Sequence, residues 1–249
     1  MCGIFGYSGN IDAKKILLEG LKKLEYRGYD SVGIALRNEC NDTNIFKVVG
    51  KIDSLKELTK DNKIKGNIGI GHTRWATHGA ATINNAHPIG SNDNNIIGVH
   101  NGIIENYQEL KDKLLNKGYI FNSSTDTEVI INLVDYYYKK YKIGPIDAIN
   151  KALLRARGTY ALALIFKDYP NQVWFTKKGS PLLVAKKDDE SFLASDSFAL
   201  IEYTNKIYYV EDYECGVLEK GMITFFDLNG NDITNTKHEI ILRSEERRV

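Results

Sequence analysis

A cysteine directly follows the initiator methionine in Met1-Cys2-Gly3-Ile4-Phe5-Gly6-Tyr7. Its small side chain favours removal of that methionine, which would leave Cys2 with a free α-amine beside its thiol. The thiolate is the nucleophilic form of cysteine, and an unperturbed thiol has a pKa of about 8.5. An α-amine titrates at roughly 7.7–8.0, so part of it is unprotonated near neutrality. It can take the thiol proton directly or through one water, which puts nucleophile and base on one residue. From position alone, Cys2 reads as the second residue of an edge strand. Four further polar stretches argue for chemistry: YRGYDS (26–31), GHTRWATHG (71–79), HNGIIENY (100–107) and STDTE (124–128). Singly, each has an ordinary explanation. Arg-Trp is a stacking pair, Asn-Gly a turn and Ser-Thr-Asp a helix cap. Together with Cys2 they form a set, each beside a predicted strand end.

The elements that must position this set follow from periodicity. Residues 2–7 read as a short buried strand. Ile16, Leu17, Leu21 and Leu24 recur at helical spacing over residues 12–25, with Asp12 as N-cap. Residues 26–31 form a turn carrying a charge pair that looks buried. Val32, Ile34 and Leu36 alternate as a strand, and Ile45 to Val49 suggests another. A short surface helix is expected over 54–61 and a strand over Ile68–Thr73. A long loop then runs from Arg74 to Gly90; loops of that length in a compact domain are more often functional than idle. A strand over Ile96–His100 should end at Asn101-Gly102, with a helix from about Glu105 to Asn116. The next helix starts at Ser123-Ser124-Thr125-Asp126 and runs through Tyr141, with Glu128 placed for a capping box. Gly144-Pro145 breaks it, and residues 146–155 form another. Strands follow over Tyr160–Phe166, Val173–Thr176, Leu182–Ala185, Phe192–Ala194, Ile207–Val210 and Ile223–Asp227. Many short strands in the second half favour antiparallel pairing. The pattern predicts a layered α/β domain, a sandwich of sheets flanked by helices.

With 249 residues, 43% of them hydrophobic, the chain can bury a large core in one domain. The net charge is +1 with Lys and Arg scattered, which argues against a nucleic-acid groove. Cys2, Cys40 and Cys215 are widely spaced, so neither a zinc ribbon nor a disulfide framework is indicated, and a reducing cytoplasm fits. No apolar run approaches the ~18 residues needed to span a membrane, and the N-terminus lacks the pattern of a signal peptide.

Read together, CGIFGY, RGYDS, GHTRWATHG and HNGIIENY resemble the glutaminase domains of the glutamine–fructose-6-phosphate amidotransferases. These are class II glutamine amidotransferases of the N-terminal-nucleophile hydrolase superfamily. The similarity runs from Cys2 to about residue 240. Purine-type amidotransferases share the initial CGI and an RGxDS turn but differ at the arginine loop. The resemblance implies an α+β fold, a four-layer αββα sandwich of two antiparallel sheets between helices. It places the glutaminase domain at 2–242, followed by a charged tail at 243–249.

The resemblance also assigns roles. Cys2 would attack the side-chain amide carbon of L-glutamine, with its α-amine as base and then as acid toward departing ammonia, near whose pKa such a dual role is efficient. The Asn101 side-chain amide and the Gly102 N–H would hold the oxyanion. Arg74 would clamp the substrate α-carboxylate with two prongs, a geometry lysine cannot copy. Asp126 would pair with the α-ammonium, and Thr77 and His78 would contact the same end. Arg27 and Gly28 would support the Cys2 end, Gly28 through its backbone, and Trp75 would gate ammonia. No cofactor is implied.

The expected product is L-glutamate plus ammonia by way of a γ-glutamyl thioester. The partner implied is a sugar-isomerase domain or subunit that takes the ammonia to make glucosamine 6-phosphate; that domain is absent from this chain, which by itself should not make the sugar. The expected setting is cytoplasmic, without nucleic acid or membrane, and compatible with an oligomer. Two other readings remain at this point: the glutaminase half of a purine-type amidotransferase, and a non-catalytic glutamine-binding regulator. A metal site built on His72, His78, His87 and His100 is disfavoured, because their spacing matches no zinc signature.

Overall fold

The computed structural model describes residues 2–38, 41–75 and 80–242. Met1, Cys40, Thr77, His78 and the tail 243–249 lie outside the described residues. The first half runs β1 (Gly3–Ser8), α1 (Ala13–Leu24), β2 (Ser31–Asn38), β3 (Thr43–Val49), α2 (Ile52–Thr59), β4 (Gly66–Arg74), β5 (Ile89–Gly90) and β6 (Ile96–Ile104). Three helices follow, α3 (Tyr107–Leu115), α4 (Asp126–Tyr141) and α5 (Pro145–Leu153). The second half is strands: β7 (Gly158–Phe166), β8 (Val173–Lys178), β9 (Leu183–Lys187), β10 (Glu190–Ala194), β11 (Lys206–Tyr209), β12 (Cys215–Glu219), β13 (Met222–Phe226) and β14 (Ile240–Ile241).

The strands form two sheets. One has the order β14-β11-β9-β10-β1-β4-β2-β3, the other β13-β12-β8-β7-β6-β5. Every named pair is antiparallel. The period of two along each strand sorts side chains into three layers of core. On β7, Tyr160, Leu162, Leu164 and Phe166 meet α3, α4 and α5. Ala161, Ala163 and Ile165 of the same strand face the other sheet. On β1, Phe5 and Tyr7 pack under α1, where Ile16, Leu17, Leu21 and Leu24 form the facing stripe. Ile4 points the other way, into the space between the sheets. Each such fully buried side chain contributes about 1.5–3 kcal/mol. The result is the αββα sandwich of the α+β class that the resemblance implies; with every named pair antiparallel, it replaces the α/β class expected from the pattern alone.

Local chemistry sets the element ends. The Asp12 side chain accepts the Lys14 N–H at the start of α1. Pro145 opens α5 at its first turn, where its missing N–H costs nothing. Thr125 caps α4 by accepting the Glu128 N–H. The Glu128 carboxylate does not close a capping box onto Thr125; it reaches the N–H groups of Asn122 and Ser123 and so orders the approach to the helix.

Several expectations need correction, among them the loop expected to run to Gly90, whose last two residues pair as β5 with β6. The strand expected to end at His100 continues to Ile104, so Asn101-Gly102 is no turn: both residues stay paired with β7, opposite Ala161 and Tyr160. The charge pair of the 26–31 turn forms elsewhere, because the Arg27 guanidinium reaches Asp196 at 2.9 Å. A strand at Cys215–Glu219 joins β8 to β13 where none was expected. Its Gly216 lies against the Phe175 ring, which masks the alternation a strand ordinarily displays. A short edge strand at Ile240–Ile241 was likewise unexpected.

Candidate active site

Cys2 lies one residue before β1, a central strand with β4 on one side and β10 on the other. Ser195, just after β10, holds this end of β1: its Oγ accepts the Ile4 N–H at 3.0 Å and its N–H donates to the Ile4 carbonyl at 3.0 Å. Arg27 braces Ser195 in turn, donating to its carbonyl at 3.4 Å while pairing with Asp196. Gly28 lies against the backbone of Thr73, Arg74 and Trp75, and a Cβ there would meet the Arg74 carbonyl carbon at 2.7 Å. The 26–31 turn therefore packs on both strands that carry the site.

Alternation places the reactive groups. On β4, His72 shares its face with Ile68 and Ile70, the face between the sheets, and Arg74 follows two residues later. On β6, Ile97 and Val99 face the same space, and Asn101 continues that row. Cys2, His72, Arg74 and Asn101 thus converge at one end of the sandwich although they lie up to 99 residues apart in sequence.

The Cys2 sulfur accepts the backbone N–H of Trp75 at 3.2 Å. The Asn101 side-chain Nδ2 donates to the Cys2 carbonyl at 2.9 Å. Burial pushes the Cys2 thiol up, and the Trp75 N–H and the Arg74 charge pull part of the way back. A thiol raised in this way needs a base close by. Gly102 has φ +125 and a Cβ there would run into the Thr159 carbonyl, so only glycine allows β6 to hold this shape. Arg74 is buried, donates to the Ala80 carbonyl at 3.2 Å and feels the charges of Cys2, Asp30 and Asp126. Asp126, the first residue of α4, accepts the Ile104 N–H at 2.7 Å. The Trp75 indole is half exposed and stands edge-on to Tyr29, with ring centroids 5.4 Å apart.

Cys2, Arg74, Trp75, Gly102 and Asp126 line one cleft, together with His87, His100, Thr125 and Thr127. A nucleophilic sulfur, an amide donor beside it, a buried guanidinium and a carboxylate suit attack on a carbonyl carbon of a molecule that also carries an anionic and a cationic end. Arg27 supports the cleft from outside its lining. Thr77 and His78 lie outside the described residues.

A cluster of buried polar groups lines and backs the cleft. His72, His87 and His100 are buried, and burial holds all three below the usual histidine range, His72 down to about 3. Thr127 Oγ1 lies 2.7 Å from His87 Nε2 and 3.0 Å from His100 Nδ1. The His72 and His87 rings lie tilted against each other, with centroids 4.3 Å apart. Among the described residues no cluster of His, Cys, Asp and Glu could hold a metal ion. Ser195 carries no motif signal, and Thr127, though within STDTE, carries no sign of its role there; their long-range partners mark both.

Comparison with known proteins identifies what the chain is similar to. Residues 72–202, more than half of the chain, match the family described as a glutamine amidotransferase domain. The glutamine–fructose-6-phosphate aminotransferase (isomerizing) of Clostridium acetobutylicum is 48% identical over 240 residues. The match takes in 96% of this chain and 39% of that protein. Its counterpart in Bacteroides thetaiotaomicron is 43% identical over 244 residues, 98% of this chain and 40% of that protein. The chain therefore spans about two fifths of these relatives. Among solved structures, a glutamine phosphoribosylpyrophosphate amidotransferase from B. subtilis superposes with a TM-score of 0.77 at 26% identity, over 93% of this chain and 50% of that one.

Proposed function

Because this chain belongs to the glutamine amidotransferase domain family, we propose that residues 2–242 form a glutaminase that hydrolyses L-glutamine to L-glutamate and ammonia. The observation that carries the reading is the pairing of Cys2 with Asn101: a thiol and an amide donor share one backbone junction at the mouth of a cleft that also holds Arg74 and Asp126. After methionine removal, the Cys2 α-amine takes the thiol proton and the sulfur attacks the carboxamide carbon. Negative charge builds on the amide oxygen, toward the Asn101 amide and the Gly102 N–H; one such donor is worth about 10²–10³ in rate. The C–N bond breaks as the α-ammonium returns the proton, releasing ammonia and a γ-glutamyl thioester. Water, deprotonated by the same amine, then cleaves the thioester and restores the thiol. Arg74 takes the substrate α-carboxylate and Asp126 its α-ammonium, with Thr77 and His78 at the same end and Trp75 gating the product.

The ammonia is proposed to serve glucosamine 6-phosphate synthesis from fructose 6-phosphate, on a sugar-isomerase domain or subunit beyond residues 2–242. The 48% identity to a protein named for that reaction supports this acceptor over a purine precursor. A cytoplasmic setting is supported by three widely spaced cysteines. Among the described residues, no helix is long and apolar enough to cross a membrane. The test is ammonia release from L-glutamine by the Met1-free protein, set against Cys2→Ala. Release from wild type alone is expected. Equal release from both would remove the thiol from the mechanism, and glutamine binding without any release would mark a regulator instead.

A further inference from the structure

We propose that His72 is a positioning residue for the oxyanion donor: it locks the side-chain amide of Asn101 in the one orientation that presents nitrogen, not oxygen, to the reacting carbonyl. The role rests on the glutaminase reading of the site and adds a residue to it.

The argument is one of donors and acceptors. His72 Nε2 lies 3.1 Å from the backbone carbonyl of His100 and 3.0 Å from Asn101 Oδ1. A backbone carbonyl can only accept. His72 must therefore carry its proton on Nε2, and that N–H can bond Asn101 only through Oδ1. On the other side of the same amide stands the Cys2 carbonyl, 2.9 Å from Nδ2, which also can only accept. Asn101 is thus gripped by a donor at one end and an acceptor at the other. Turning its amide by 180° would set an N–H₂ against the His72 N–H and an oxygen against the Cys2 carbonyl. Both contacts would then be repulsive.

The consequence for catalysis follows from how many hydrogens the amide carries. Nδ2 has two; the Cys2 carbonyl takes one, which leaves the other for the developing oxyanion. A flipped Asn101 would offer a lone pair to that negative charge. A buried ring suits this task better than a hydroxyl, which rotates between roles, or a lysine, which needs water. The His72 ring is fully buried, and the tilted His87 ring packs against it with centroids 4.3 Å apart. Thr127, bonded to His87 Nε2 at 2.7 Å, ties that pair to α4. His72 is not among the residues that line the cleft, so it acts through its bond to Asn101.

Three measurements on the full chain test this. The first is steady-state ammonia release. His72→Phe should lower kcat about 10- to 100-fold, less than the 10²–10³ expected for losing the donor, with KM within about twofold and the rate of Cys2 alkylation by iodoacetamide unchanged. His72→Gln, whose amide N–H₂ can replace the Nε2–H, should recover most of the loss. The second is a double-mutant cycle: on an Asn101→Ala background, His72→Phe should change kcat by less than about threefold, since its target is gone. The third needs no turnover: ¹⁵N NMR of the wild-type imidazoles should find the His72 proton on Nε2. An Nδ1-protonated ring would overturn the proposal outright, even if His72→Phe failed to fold. A rise in KM at constant kcat, equal losses in His72→Phe and His72→Gln, or full additivity with Asn101→Ala would each do the same. If wild type released no ammonia at all, the glutaminase reading would fall and this role with it. An active enzyme with the wrong tautomer would sink the positioning role alone.

Discussion

Trp75 donates its backbone N–H to the Cys2 sulfur across 3.2 Å while its own side chain lies half exposed against Tyr29. The contact that touches the Cys2 sulfur is thus independent of the indole. Trp75→Ala keeps the N–H and should leave glutamine hydrolysis within a few-fold, whereas Trp75→Pro removes the donor and should lower it by about tenfold or more. Ammonia assays on both variants decide the matter. A complete loss in Trp75→Ala would contradict a gate role for the side chain.

Cys2→Ala should abolish ammonia release while L-glutamine still binds, because Arg74 and Asp126 are untouched. Protein that keeps Met1 should be equally inactive, since an acylated nitrogen cannot act as base. Intact mass identifies the processed form. Iodoacetamide labelling of the Met1-retaining form should keep rising with pH past about 8.5, as the thiol lies above its ordinary value through burial.

Arg74→Lys should raise KM about 10- to 100-fold with a smaller effect on kcat, because a point charge replaces a planar fork. The Ala80 carbonyl, 3.2 Å from the guanidinium, fixes where that fork lies. Calorimetric binding of L-glutamine to the Cys2→Ala protein isolates the term. An effect confined to kcat would contradict the clamp.

Gly102→Ala should cost stability as well as activity. Its φ of +125 and the Thr159 carbonyl leave no place for a methyl group. A loss of about 2–4 kcal/mol in denaturant unfolding is expected, as for other strained backbone positions. A Gly102→Ala protein as stable as wild type would show that β6 relaxes at no cost.

Acid should destabilise the fold through the buried histidines. His72, His87 and His100 have folded-state pKa values below the unfolded value of about 6.5, chiefly through burial, with Arg74 and Lys47 adding to the shift at His87 and Asp126 opposing it at His100. Below about pH 6.5 the unfolded chain binds protons that the folded chain refuses. Stability is therefore full above that pH and falls as pH drops toward the folded-state values, about 3 for His72. Each histidine contributes up to about 1.4 kcal/mol per pH unit. Urea unfolding at pH 7 and pH 5 should register the drop, and His72→Gln should make it shallower by one proton.

The sequence by itself determined the elements whose signals are local. The 3.6-residue stripe of Ile16, Leu17, Leu21 and Leu24, the Asp12 and Thr125 caps and the unbroken apolar run of β7 from Tyr160 to Phe166 are signals written within a few residues, so period and type suffice. The polar motifs likewise named Cys2, Arg74, Asn101, Gly102 and Asp126. The tertiary structure decided what these residues touch. Asn-Gly looks like a turn because glycine permits positive φ, yet pairing with Ala161 and Tyr160 keeps it inside a strand. Arg27 has Asp30 three residues away but pairs with Asp196, brought to it by the meeting of β10 with β1. The bond between His72 and Asn101 joins two sheets, and no spacing along the chain can announce it. Long-range register fixes such pairs, and register is a property of the whole sandwich: a one-residue slip would turn every one of these side chains to the opposite face.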